Sequence, residues 1–208
     1  MKRNPIIRWC LSLLLGLAFA PAWSGPVSLN GTWELSYWKQ PAEAITDPAE
    51  LKEVEVKTIP AQVPGNVELD LLAAGLIDDP MIGANVNKLR AWEGHQWCYA
   101  RSFTAPKLSE GQRAELWFGG IDCLADIWVN GKHAGSSADM LIERRFDVTD
   151  LIEQGGENTV QVIIRPVVPA SQDHLLGMFS LGNFATEESV YIRKAPHMYG
   201  WDIMPRFI

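Results

Sequence analysis

The chain has 208 residues, with 25 acidic against 18 basic side chains and a formal net charge of -7. That balance excludes surfaces built on basic patches, so neither nucleic acid nor an anionic membrane is an expected partner. With 47% hydrophobic residues and no low-complexity run or internal repeat, the chain reads as one soluble domain long enough to enclose a core.

Its first residues form an address. Lys2, Arg3 and Arg8 flank the start of an apolar run over 9–20, which has signal-peptide length and is too short to span a bilayer as a helix. Ala22 and Ser24 supply the small residues of a cleavage site before Gly25. The expectation is therefore a signal peptide over 1–24, a mature domain over 25–208, and export to the periplasm or beyond. No Cys follows a lipobox, so no lipid anchor is expected. Cys10 leaves with the leader. Cys98 and Cys123 then remain, either bridged in an oxidising compartment or buried as free thiols. There is no Cys-x-x-Cys and no His pair at ligand spacing, so neither a metal nor another cofactor is expected.

The mature chain opens with Trp33, Leu35 and Tyr37 alternating with polar or small residues, the pattern of a half-buried strand. Val54 and Val56 alternate with charge over 53–59, which predicts a second strand ended by Pro60. Asn66 is a candidate N-cap for a short helix with Glu68 and Asp70 in its first turn. Val67, Leu71, Leu72 and Ala74 give that helix one apolar face. A loop punctuated by Asp79-Pro80 and Gly83 follows. Trp97, Tyr99, Arg101 and Phe103 then share one face of a strand. Aromatics can stack on sugar rings, but a stripe at period 2 reads first as core. Arg101, if buried there, needs a carboxylate partner, with Asp122 and Asp126 as candidates.

The stretch over 113–149 is antiparallel sheet. Ala114, Leu116 and Phe118 fall on one face, Glu115 and Trp117 on the other. A run rich in β-branched and aromatic residues over 124–129 meets Asn130-Gly131, the pair that a type I′ hairpin turn demands. Residues 137–142 read as a loop. Phe146-Asp147-Val148-Thr149 leads into a turn capped by Asp147 or Thr149. After Gly155-Gly156, Val160, Val162 and Ile164 point inward along a last strand, which Pro166 and Pro169 end. The fold class is all-β, a sandwich with one or two short helices.

Gly120-Ile121-Asp122, the run Ala125-Asp126-Ile127-Trp128-Val129-Asn130-Gly131-Lys132 and Phe146-Asp147-Val148-Thr149 together resemble the N-terminal sugar-binding domain of family 2 glycoside hydrolases. The resemblance runs in one order from about Leu29 to the last residue, and it implies a jelly-roll β-sandwich like that of galactose-binding domains. Arg193-Lys194-Ala195 and Gly200-Trp201-Asp202-Ile203-Met204-Pro205-Arg206 are similar to the RKA…GWDWGPR segment of the β-mannosidase and exo-β-glucosaminidase branch. By that resemblance Asp202 accepts hydrogen bonds from hydroxyls of the terminal sugar, Trp201 walls the pocket and Arg206 supports the loop. A carboxylate and a flat indole suit those tasks. Asp202 as a turn cap and Trp201 as packing is the plainer alternative. Ile203 and Met204 stand where the family has Trp-Gly, which leaves the sugar open.

The resemblance also implies a retaining mechanism carried by two glutamates about 5–5.5 Å apart. Those lie on a (β/α)₈ barrel of about 250 residues, C-terminal to the region matched here. No catalytic residue is therefore expected in this chain, and Glu187-Glu188 read as a surface loop. The expectation is the accessory domain of an exported exo-β-glycosidase. It would pack on the barrel of a longer parent and help to bind a terminal β-linked sugar. A stand-alone carbohydrate-binding module and a structural domain without a ligand are the alternatives. The apolar close of the sequence, Pro205-Arg206-Phe207-Ile208, favours the first.

Overall fold

The computed structural model describes residues 25–172, 190–200 and 206–208. The expected leader, Trp201, Asp202, Glu187 and Glu188 lie outside them. Eight strands are described: β1 (Gly31–Lys39), β2 (Lys57–Val63), β3 (His95–Thr104), β4 (Glu115–Phe118), β5 (Leu124–Val129), β6 (Lys132–Ala138), β7 (Arg144–Asp147) and β8 (Glu157–Arg165). The helices defined among the described residues are short: α1 (Val67–Ala73), α2 (Val167–Ser171) and single 3-10 segments at Pro48–Glu53, Asn85–Trp92 and Pro196–Met198. Six strands form one antiparallel sheet in the order β2-β1-β3-β8-β5-β6, and β4 pairs with β7 in a second, two-stranded sheet.

Register puts the alternating apolar residues on a common inner face. Leu35 lies opposite Tyr99, Tyr99 opposite Val162, and Val162 opposite Ile127. Leu35, Ile127 and Val160 are fully buried there, each contributing about 1.5–3 kcal/mol of transfer free energy. The small β4–β7 sheet covers this face through Leu116, Phe118 and Phe146. Phe146 can sit close because β6 carries Gly135 beneath it: a Cβ there would lie 2.5 Å from the ring. Helix α1 covers the other half of the same face, with Leu71 set against Leu35, Ala61 and Trp97. The Trp97 stripe is thus core. The hairpin turn is as expected, with φ of 51° at Asn130 and 70° at Gly131. Asn130 also locks this turn to β8, since its Oδ1 accepts from the Thr159 amide at 2.9 Å.

Four expectations change. The second strand is Lys57–Val63, and Pro60 lies inside it opposite Glu34. A residue without an N–H is tolerated because β2 is an edge strand, paired on one side only among the described residues. The Val54–Val56 segment belongs instead to a strap that covers the outer face over Trp38, Cys98 and Ile163. Gln96, fully buried, pins that strap by bonding the Ile45 amide (2.9 Å) and carbonyl (2.7 Å) and the Trp38 indole (3.2 Å). Strand β6 continues to Ala138, so the loop predicted over 137–142 begins later. Finally, among the described residues Arg101 has no carboxylate partner. It is only half-buried, and its Nη1 reaches the carbonyls of Leu29, Asn30 and Thr32 at 3.1, 3.1 and 3.2 Å. Asp126 points to the opposite face of the sheet, beside Arg165 and Ser136, and Asp122 is held by a lysine described below. The two cysteines are free and buried.

Candidate functional site

Residues 190–200 and 206–208 pack where α1, the connection before β5 and the end of β6 meet. Arg193 forms a parallel bridge with Asp139, and its carbonyl accepts from the Met140 amide at 3.0 Å. Lys194 turns inward and is 7% exposed. Its Nζ pairs with Asp122 Oδ2 at 2.9 Å and donates to the Ile208 carbonyl at 2.8 Å. The Ile208 amide donates to Glu68 Oε1, also at 2.8 Å. Glu68 reaches this point because Asn66 starts α1: Asn66 Oδ1 accepts from the Leu69 amide at 3.0 Å, which sets the first turn. Burial raises the pKa of the Glu68 carboxyl. The opposing influences are main-chain hydrogen bonds, including that from the Ile208 amide, and the charge of Lys194.

The chain then folds back. Met198 accepts from the Phe207 amide at 3.1 Å, and Tyr199 and Arg206 form an isolated antiparallel bridge. Arg206 Nε pairs with Glu93. Beside them Trp92, His95 and Trp97 cluster, with ring centroids 4.9 Å apart for Trp92–His95 and 6.0 Å for His95–Trp97. Burial keeps the His95 imidazole below its ordinary pKa. Between the sheet's inner face, β4 and this C-terminal segment runs a cleft of about 870 Å³. Aromatic and aliphatic side chains such as Trp33, Tyr99, Phe118 and Val162 wall it, and Glu93, His95 and Arg206 also border it.

Of the three expected sugar-binding residues, only Arg206 is described. It bridges to Tyr199 and pairs with Glu93, which brings residues 206–208 against the segment before β3. Trp201 and Asp202 lie outside the described residues, between flanks that are described. Sequence reasoning missed Glu68, Glu93, Asp122 and Lys194 as parts of this region. Asp122 and Lys194 stood inside the quoted motifs. Glu68 passed as a helix-dipole residue, and nothing in its spacing shows a partner 140 positions away. Glu68 Oε1 accepts from the Ile208 amide and Asp122 Oδ2 pairs with Lys194, so both carboxyl groups help to hold the C-terminal segment against the sandwich. Among the described residues no cluster of three His, Cys, Asp or Glu side chains could hold a metal ion.

Comparison with known proteins agrees with this architecture. The sequence profile described as "Glycosyl hydrolase 2 galactose-binding domain-like" matches residues 40–208. Beta-mannosidase B of Thermothelomyces thermophilus is 34% identical over 155 residues, covering 71% of this chain and 18% of that protein. The beta-mannosidase of Mus musculus is 30% identical over 211 residues, covering 95% of this chain and 22% of that protein. Among solved structures, a β-D-mannosidase from Dictyoglomus thermophilum superposes with a TM-score of 0.66 at 30% identity, covering 86% of this chain and 20% of that one. The chain thus spans about a fifth of the length of each of these relatives. Fold, motifs and family profile coincide, and the chain belongs to the glycosyl hydrolase 2 galactose-binding-domain-like family.

Proposed function

We propose that this chain is the N-terminal sugar-binding domain of an exported, β-mannosidase-like exo-β-glycosidase. It would contribute Trp201 and Asp202 to the pocket for a terminal β-linked sugar while a C-terminal barrel supplies the retaining chemistry. The observation that carries the proposal is the likeness to β-mannosidases over nearly the whole chain. Residues 194–200 and 206–208, on either side of Trp201 and Asp202 in sequence, are both anchored to the sandwich. An ionised Asp202 accepts two sugar hydroxyls at charge-assisted strength, and the Trp201 ring offers an apolar wall. Arg206, paired with Glu93, holds the returning limb.

The test is Asp202→Ala in the full-length enzyme. The expected outcome is a fall in kcat/KM for the natural glycoside of at least about tenfold, close to 1.4 kcal/mol of transition-state stabilisation. A change below about twofold would take Asp202 out of the site. Assay against β-mannosides, β-glucosides and β-glucosaminides in parallel identifies the sugar, which the Ile203-Met204 pair leaves open. N-terminal sequencing of the secreted protein, expected to begin at Gly25, tests export.

A further inference from the structure

The turn between β5 and β6 meets two demands that conflict. A two-residue type I′ turn needs positive φ at both central positions, and Asn130 and Gly131 supply it at 51° and 70°. The same pair is chemically fragile. Glycine leaves its own amide nitrogen sterically open, and that nitrogen can attack the side-chain amide of the asparagine before it. In that step the Gly131 nitrogen loses its proton and bonds to Asn130 Cγ. The Cγ–Nδ2 bond breaks, and ammonia leaves with the proton. Water then opens the cyclic imide at either carbonyl, which leaves aspartate or isoaspartate at position 130.

Nothing at Gly131 obstructs this reaction. Both residues are exposed, and beyond the chain neighbours no heavy atom lies within 4 Å of where a Gly131 Cβ would stand. The side chain of Asn130 is held instead. Its Nδ2 donates to the Leu151 carbonyl at 2.9 Å and to Asn158 Oδ1 at 2.7 Å, and its Oδ1 accepts from the Thr159 amide at 2.9 Å. Acceptors at one end and a donor at the other fix the orientation of the amide. Asn158 is pinned in turn. It is 1% exposed, accepts from the Glu153 amide at 2.7 Å, and donates to the carbonyls of Glu153 and Gly156 at 3.0 Å each. Before Asn130 Cγ can swing towards the Gly131 nitrogen, the bonds that hold both ends of its amide must break.

We infer that Asn130 is a latent self-modification site, and that Asn158 keeps it shut while the turn stays docked on β8. Conversion would put a carboxylate oxygen where Nδ2 stood, facing the Leu151 carbonyl and Asn158 Oδ1, and acceptors so gathered repel one another. A single opening of this hairpin is thereby recorded as a lasting negative charge that works against its closing again.

The experiment is peptide mapping by mass spectrometry on the full-length enzyme, sampled over time at mildly alkaline pH. The exposed Asn30-Gly31 pair at the start of β1 serves as internal reference. In denaturant the two pairs should convert at similar rates. In the folded wild type, conversion at position 130 is expected to be at least about tenfold slower than in denaturant. Asn158→Ala, assayed where it remains folded, is expected to raise that folded-state rate at least about tenfold with position 30 unchanged. A rise of less than about twofold would overturn the inference. So would an equal rise at position 30, which marks general loosening of the fold, or a folded wild type that reacts as fast as the denatured one. Should Asn158→Ala fail to fold, side-chain hydrogen exchange in the wild type decides. Slow exchange of the Asn130 Nδ2 protons supports the clamp, and exchange as fast as at Asn30 overturns it.

Discussion

At the scale of single residues, the C-terminal anchor makes a prediction about pH. Burial raises the pKa of Glu68 above the ordinary value of 4.5, so in the window above 4.5 the folded chain binds more protons at this position than the unfolded chain does. The stability this group contributes is complete below 4.5 and is lost as pH rises through the folded value. Glu68→Gln keeps an acceptor for the Ile208 amide and cannot titrate. Its unfolding free energy, followed by urea titration from pH 4.5 to 7, should rise relative to wild type as pH rises. Parallel curves would mean that Glu68 ionises in the folded protein as freely as in the unfolded one. Carboxylates such as Asp147, whose pKa is lowered first by Thr149, contribute slope of the opposite sign. The difference between variant and wild type is therefore the quantity that decides.

At the scale of elements, the outer strap depends on one side chain. Gln96 satisfies both main-chain groups of Ile45 and the indole of Trp38. Gln96→Leu fills the same space and leaves those groups buried without partners. The expected cost is at least about 2 kcal/mol in urea unfolding, with the strap's amides losing protection from hydrogen exchange before those of β3 and β8. A cost below about 0.5 kcal/mol would show that water replaces the amide. This strap also shows where local pattern stops being informative. Val54 and Val56 alternate as a strand would, yet they pack across strands rather than beside them, because the Gln96–Ile45 link is long-range and unseen in any window. The Asn130-Gly131 hairpin, the Trp97 stripe and the Asn66 cap were legible because each is decided within a few residues. The partners of Arg101 were hidden for the same reason as the strap: they are carbonyls from a segment some 70 positions earlier.

At the scale of the whole molecule, the cysteines report on how the domain opens. Burial pushes both the Cys98 and Cys123 thiols up to about 12. Cys98 lies under the outer strap, and Cys123 precedes β5 next to Asp122. At pH 8 a disulfide reagent should therefore modify the folded chain at least about 100-fold more slowly than the chain in denaturant, since it needs both exposure and thiolate. Rapid labelling of one cysteine alone would locate a layer that opens before the rest. The all-β class, the motif order and the family were legible across the whole chain, since alternation and hairpin chemistry repeat along it. The charged anchor of residues 194–208 was not legible, because it joins Glu68, Asp122, Lys194 and Ile208 from four separate parts of the sequence.

The margins of the large sheet have a consequence for how neighbouring copies of the molecule meet. One margin is β2, where Pro60 lacks an amide hydrogen. The other is β6, where the pairing with β5 shifts register around Ala134. An open strand margin is a template on which a second molecule can add its own strand, and a proline or a bulge spoils the template. Both margins carry such a guard, so neighbouring copies meeting edge to edge find no continuous row of donors and acceptors to join. Pro60→Val would restore a regular row on β2 and is expected to open a route to fibrous association.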